Sequence, residues 1–102
     1  MTYRKDSGWN DKTEMMCLLI LKKLQAEGFP RGRQSELCTQ MSRKRDVCLS
    51  YGTINMKVQN YMYLDTEGCQ GLAGYSQNSE RIYNKYHNFS IKQLEEEIDS
   101  HG

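Results

Sequence analysis

The sequence predicts an all-α fold: a small bundle of about five helices with a helix-turn-helix-like core. Three observations carry this. Apolar residues recur at helical spacing in five segments. Capping residues, glycines and the single proline fall at the edges of those segments. No run alternates with period two for long enough to make a convincing strand, and Tyr61-Met62-Tyr63-Leu64 is the one stretch that tolerates that alternative.

Residues 1–10 are polar and contain Gly8, which predicts a flexible N-terminal arm ahead of a single helical domain over 11–102. Trp9 stands just before a helix start and is expected to anchor the arm on the core, as in a hydrophobic staple. The first helix is expected over about 11–27. It should begin at Asn10 or Asp11, and Asp11-Lys12-Thr13-Glu14 has capping-box form, with an acidic cap and Glu14 reaching back. Met15, Cys17, Leu18, Leu19, Ile20, Leu21 and Leu24 cover more than half the circumference, so this is the central helix. Gly28 and Pro30 end it.

Arg31-Gly32-Arg33 is a basic connector. A second helix is expected from Ser35 to Lys44, with Ser35 as cap and Leu37, Cys38 and Met41 inward; Arg43-Lys44-Arg45 at its end suits the helix dipole. The third helix runs from the cap Ser50 to Asp65. Ile54, Val58, Tyr61 and Met62 form its apolar stripe. A loop with Gly68, Gly71 and Gly74 follows, pinned by Leu72 and Tyr75. Ser79 is expected to cap a short fourth helix with Ile82, Tyr83 and Tyr86 inward. Ser90 and Gln93 form a capping box for a last, acidic helix with Ile91, Leu94 and Ile98 inward and Glu95, Glu96, Glu97 and Asp99 outward.

At 102 residues, with 37% hydrophobic and 26% charged content, the chain has the make-up of one soluble domain. The net charge of +1 excludes a wholly basic surface but allows a local patch. Between residues 31 and 60 six cations face only Glu36 and Asp46, while the last turns are acidic. The four cysteines show no C-x-x-C spacing, so no zinc site is expected. With no apolar leader and no apolar run near the ~20 residues that span a bilayer, the expected location is the cytoplasm, with free thiols and no membrane partner.

No catalytic constellation is present. His87 and His101 are the only histidines, and there is no Gly-x-Ser-x-Gly, phosphate-binding loop or His-Glu-x-x-His. The chain is therefore expected to be no enzyme and to need no cofactor. The outward residues of the third helix are amide, hydroxyl and ammonium groups, the types that read base edges and phosphates. On this reading Tyr51, Thr53, Asn55 and Gln59 face bases or sugars, while Arg43, Lys44, Arg45 and Lys57 hold the phosphates of double-stranded DNA; the alternative for Lys57 and Asn60, close to the buried stripe, is a structural hydrogen-bonding role beneath the glycine loop. Tyr51 sits where free helix N–H groups favour an anion. Two other readings stand beside it. One is a small phage-type inhibitor of a nucleic-acid-handling complex, acting through its acidic last helix. The other is a stabilising or dimerising domain of a larger protein.

The order of parts also resembles a family. Trp9 and an apolar helix are followed by Ser35-Glu36-Leu37. Then come Ile54-x-Met56-Lys57-x-x-Asn60-Tyr61-x-x-Leu64-Asp65, Gly71-Leu72, and Ser79-x-x-Ile82-Tyr83-x-x-Tyr86. This is similar to the N-terminal domain that precedes HNH nuclease domains in bacterial restriction endonucleases, some proposed to cut modified DNA. That family's pattern is Val-x-Met-Lys-Leu-x-Asn-Phe-x-x-Leu-Asp-Pro, then Gly-Leu and Val-Trp-x-x-Phe. Thr66 replaces its proline and Tyr83 its tryptophan, and Ser50-Tyr51 stands for its Asn/Ser-Pro. No HNH residues follow. The resemblance implies a DNA-recognition module, for unmodified or modified DNA, tied to restriction, phage defence or a mobile element. The nuclease would be a fused or host partner.

Overall fold

The computed structural model describes Tyr3 and residues 7–101. Among them are five α-helices and no strand: α1 (Asp11–Glu27), α2 (Arg33–Ser42), α3 (Tyr51–Asp65), α4 (Gln77–Tyr86) and α5 (Ile91–Ser100). The all-α bundle that the periodicity predicts is the fold observed. No helix among the described residues is long and apolar enough to cross a membrane.

Helix α1 is the hub. Met15, Met16, Cys17, Leu18, Ile20, Leu21 and Leu24 are buried around most of its circumference, and a helix apolar on so many sides needs neighbours on all of them. It packs against each of the other four helices; α3 also packs against α2 and α4. Gly28 closes α1 in the left-handed conformation at φ 78°, as its position after the last apolar turn predicts.

The helix starts are where local sequence misleads. The cap of α1 is Asn10, not Asp11. Its side chain accepts from the Thr13 backbone N–H, and the Thr13 hydroxyl accepts from the Asn10 N–H, both at 2.9 Å. Glu14 takes no part in the cap because it points inward. Helix α2 starts and ends two residues earlier than expected. Gly32 (φ 81°) turns the chain directly into the helix with no side-chain cap, leaving Ser35 inside it. Arg43 is therefore the C-cap of α2, with Lys44 and Arg45 just past the helix end. Helix α4 is capped by Ser76, and Ser79 is its buried third residue. The caps Ser50 of α3 and Ser90–Gln93 of α5 stand as expected.

The connection from α2 to α3, residues 43–50, is longer than the three or four residues of a tight helix-turn-helix turn. Val47 and Leu49 are buried in the core, and Lys12 Nζ reaches Asp46 Oδ2 at 2.9 Å. The loop after α3 is pinned through backbone rather than through the Leu72 side chain, which is exposed. Leu72 N–H donates to the Gln59 carbonyl at 3.1 Å, and Asn60 Nδ2 donates to the Leu72 carbonyl at 2.9 Å. Gly71 lies so close to Gln59 O and Tyr63 N that a Cβ has no room there. The Tyr75 ring lies 6.0 Å from that of Tyr63.

The arm expected over 1–10 falls partly outside the described residues. Its described part is tied down. The Tyr3 hydroxyl donates to Asp11 Oδ1 at 2.7 Å, Arg81 bridges to the same carboxylate, and Trp9 packs on the core as its position predicts.

Candidate nucleic-acid interface

The eight residues expected to form the interface divide into three groups. The first is Lys57 alone, and it is withdrawn from the surface. It is 9% exposed. Its ammonium bonds Glu14 Oε2 at 3.0 Å and Ser79 Oγ at 2.9 Å, and stands 4.4 Å from the centre of the Trp9 ring. Glu14, 1% exposed, also accepts from the Tyr61 hydroxyl at 2.6 Å and from Ser79 Oγ at 3.0 Å. A buried charge is tolerated only when paired and hydrogen-bonded, and this cluster pairs Lys57 fully. Lys57 therefore has no charge to offer a phosphate. It fastens α3 to α1, α4 and the arm.

Burial, reinforced by the Glu14 carboxylate, pushes the Tyr61 hydroxyl well above its ordinary range, so Tyr61 stays neutral and donates. The same burial keeps Cys17 a thiol and pushes Cys38 up to about 11. All four cysteines are free. Among the described residues no group of three or more His, Cys, Asp or Glu is placed to hold a metal ion.

The second group is the polar face of α3. Tyr51 leans on α2, with its hydroxyl 3.1 Å from Ser35 Oγ. Asn55 is half-buried against α2, and its carbonyl oxygen accepts from Gln34 Nε2 at 2.7 Å. Gln59 is half-buried beside the glycine loop that its backbone holds. The Asn55 side chain and the Gln59 backbone thus help to build the bundle. Thr53 is exposed near the helix start, where Ser50 Oγ takes the Thr53 N–H at 3.3 Å. The exposed residues of α3 are Tyr51, Gly52, Thr53 and Met56 in its first two turns and Asp65 at its end.

The third group is Arg43, Lys44 and Arg45. All three are exposed and have no ion-pair or hydrogen-bonding side-chain partner among the described residues. Lys22, Lys85 and Lys92 likewise hold no carboxylate among the described residues, Lys22 donating instead to the His87 carbonyl and Lys85 standing over the Tyr86 ring. Lys12, Lys23, Arg33, Lys57 and Arg81 each hold a carboxylate. Arg31, on the α1–α2 connector, is also exposed and without such a partner.

The residues that the expectation missed are Glu14, Ser79 and Met56. Glu14 lies at i, i+4, i+7 with Leu18 and Leu21, and Ser79 at i, i+3, i+7 with Ile82 and Tyr86, so both share an inward stripe. That pattern was the available signal of a buried polar cluster. Met56, 58% exposed, breaks the rule that large apolar residues turn inward.

No protein-family model, no curated protein and no solved structure matches this chain. The resemblance to the domain that precedes HNH nucleases therefore rests on the residues themselves. Those residues touch one another: Lys57 on Trp9, Asn60 on Leu72, and Asp65 Oδ1 accepting from the Tyr83 hydroxyl at 2.7 Å. The pattern marks the fastenings of a fold rather than a row of ligand contacts.

Proposed function

We propose that the chain is a non-catalytic module that binds double-stranded DNA, unmodified or modified, through Arg43, Lys44 and Arg45 and the exposed start of α3. The observation that carries this reading is three consecutive exposed cations with no ion pair among the described residues, where five of the nine other described Lys and Arg side chains each hold a carboxylate. Free cations release counterions from the phosphate backbone, and that release drives sequence-independent affinity. Tyr51 and Thr53 sit at the first turn of α3, where backbone N–H groups favour a phosphate, and they are the residues placed to add sugar or base contacts. The resemblance supports the same reading and places the module in restriction, phage defence or a mobile element, working with a fused or host nuclease in a reducing cytoplasm.

The test is a DNA-binding titration over a range of salt. With Lys57 buried, at most about four phosphates are engaged, so the log–log salt slope is expected at roughly −3 to −4. Replacing Arg43, Lys44 and Arg45 with alanine is expected to flatten that slope by roughly 3 and to weaken every sequence alike. An affinity that ignores both salt and the triple substitution would sink the reading.

One observation favours the inhibitor reading instead. The solvent-facing side of α3 carries no cation, and Met56 (58%) and Leu72 (42%) are exposed beside it. Exposed Met and Leu on a small domain suit a protein partner more than a phosphate. Absence of any duplex binding, with stable complex formation to a nucleic-acid-handling protein lost in Met56→Glu, decides for that reading.

A further inference from the structure

Every described glycine but one has a backbone reason to be glycine. Gly8, Gly28, Gly32, Gly68, Gly71 and Gly74 take positive φ. Gly52 does not. It lies in the first turn of α3, and a Cβ built on it would meet nothing within 4 Å. Glycine ranks below every residue but proline as a helix former. The fold therefore carries a cost at Gly52 that no contact within the described chain explains. What a glycine on a helix permits is close approach from outside.

The surroundings show what can approach. Met56, 58% exposed, follows Gly52 by one helical turn on the same outward face, ~6 Å along the axis. One turn further the glycine loop meets α3, where Leu72 N–H donates to the Gln59 carbonyl, and the Leu72 side chain is exposed. This strip carries no charge. Between Val47 and Ser79 only Lys57, Asp65 and Glu67 are charged. Lys57 is buried on Glu14, and Asp65 lies at the far end of α3, accepting from Gln25 and Tyr83. Exposed Met and Leu without charge match the make-up of an interface core.

We propose that two copies of the chain pair through this strip, α3 against antiparallel α3, about a two-fold axis that passes between Gly52 and Met56. A two-fold contact needs a self-complementary surface: where residue i meets j, j meets i. A gap and a knob one turn apart meet that need, since Met56 of each copy seats on Gly52 of the other. The lack of charge meets a second need, because a two-fold axis brings like charges together and so penalises a charged strip. Tyr51 and Thr53 lie about 100° to either side of Gly52 around the helix. They border the seam and stay open to a duplex. The two Leu72 side chains close the ends of the seam.

The seam is short, so weak pairing is expected. Sedimentation equilibrium up to about 1 mM, the weak end of specific association, should show monomer and dimer in exchange. Amide shifts that move with concentration should centre on Gly52, Met56 and Leu72. Gly52→Ala separates fold from contact. Its methyl meets no obstacle within the chain, so dilute protein should melt about 2–6 °C higher, while pairing weakens roughly tenfold as the close approach is lost. M56E and M56K should each weaken pairing by at least about tenfold. An equimolar mixture of the two should pair again, which only a contact between copies predicts. A monomer throughout, a lower melting temperature in Gly52→Ala, a dimer indifferent to these substitutions, shifts centred on another helix, or no recovery in the mixture would overturn the proposal. No DNA enters these measurements. A monomer that binds duplex through the basic triplet would sink the pairing alone, and a dimer that ignores duplex would sink the DNA reading alone.

Discussion

Glu14 and Lys57 show how much rests on one pair of side chains. Each is buried, and each satisfies the other together with Tyr61 and Ser79. Removing one partner leaves an uncompensated charge in the core. Glu14→Gln or Lys57→Met is therefore expected to cost about 3–5 kcal/mol. The double variant Glu14→Leu/Lys57→Met is expected to recover part of that loss, because no charge is then stranded. Urea denaturation of the three variants checks both statements; equal losses for the single and double variants would contradict them. The tyrosines supply a pH prediction. Burial, with help from the hydrogen bond to Asp65, pushes the Tyr83 hydroxyl up to about 12, and Tyr61 is raised further in the same direction. Both folded values lie above the ordinary 10, so their contribution is whole below pH 10 and is lost as pH rises toward 12. Phenolate absorbance followed against pH should show exposed tyrosines titrating first. Tyr61 should ionise only as helical circular dichroism collapses.

Among the elements, α3 and the loop after it depend on a close approach of backbone. Gly71 and Gly74 share positive φ values of 87° and 92°, but only at Gly71 does a neighbouring backbone block a Cβ. Alanine at either site is expected to cost about 1–3 kcal/mol for the backbone conformation. Gly71→Ala should cost clearly more than Gly74→Ala, because its methyl collides with Gln59 and Tyr63 of α3. Thermal melts of the two variants measure the difference, and equal melting points would refute the collision. Serines at helix starts follow a similar logic. Ser76 caps α4 and Ser79 does not, since the Ser79 hydroxyl is bonded to Glu14 and Lys57. Two serines three residues apart look alike to a local rule. What separates them is a carboxylate 65 positions away in the chain.

For the whole molecule, the sharing of cations between fold and surface sets what the protein can bind. The side chains of Arg43, Lys44 and Arg45 make no ion pair and no side-chain hydrogen bond among the described residues; the triplet's bonds to the bundle run through its backbone. Its replacement by alanine is therefore expected to change stability by no more than about 0.5 kcal/mol, whatever it does to DNA affinity. A melt of the triple variant within a degree or two of the parent, alongside a flattened salt dependence, separates a lost ligand contact from a damaged fold. A large drop in melting temperature would show instead that the triplet is part of the architecture.

Short-range patterns were enough to specify five helices, their approximate bounds, the central place of α1, the stop at Gly28 and two of the caps. Each depends on residues within one or two turns of each other, so the cause lies in the local chain. The basic triplet was legible for the same reason: three adjacent cations cannot all be buried. Asn55 was not legible as architecture, and Lys57 was legible only as a choice between a phosphate contact and a structural hydrogen bond. A polar residue at the edge of an apolar stripe can face water or a partner helix, and local spacing is the same in both cases. Their roles were settled by distant residues: Glu14 and Ser79 for Lys57, and Gln34 for Asn55. Packing distributes desolvation, and desolvation decides whether a polar side chain is left for a ligand or used by the fold.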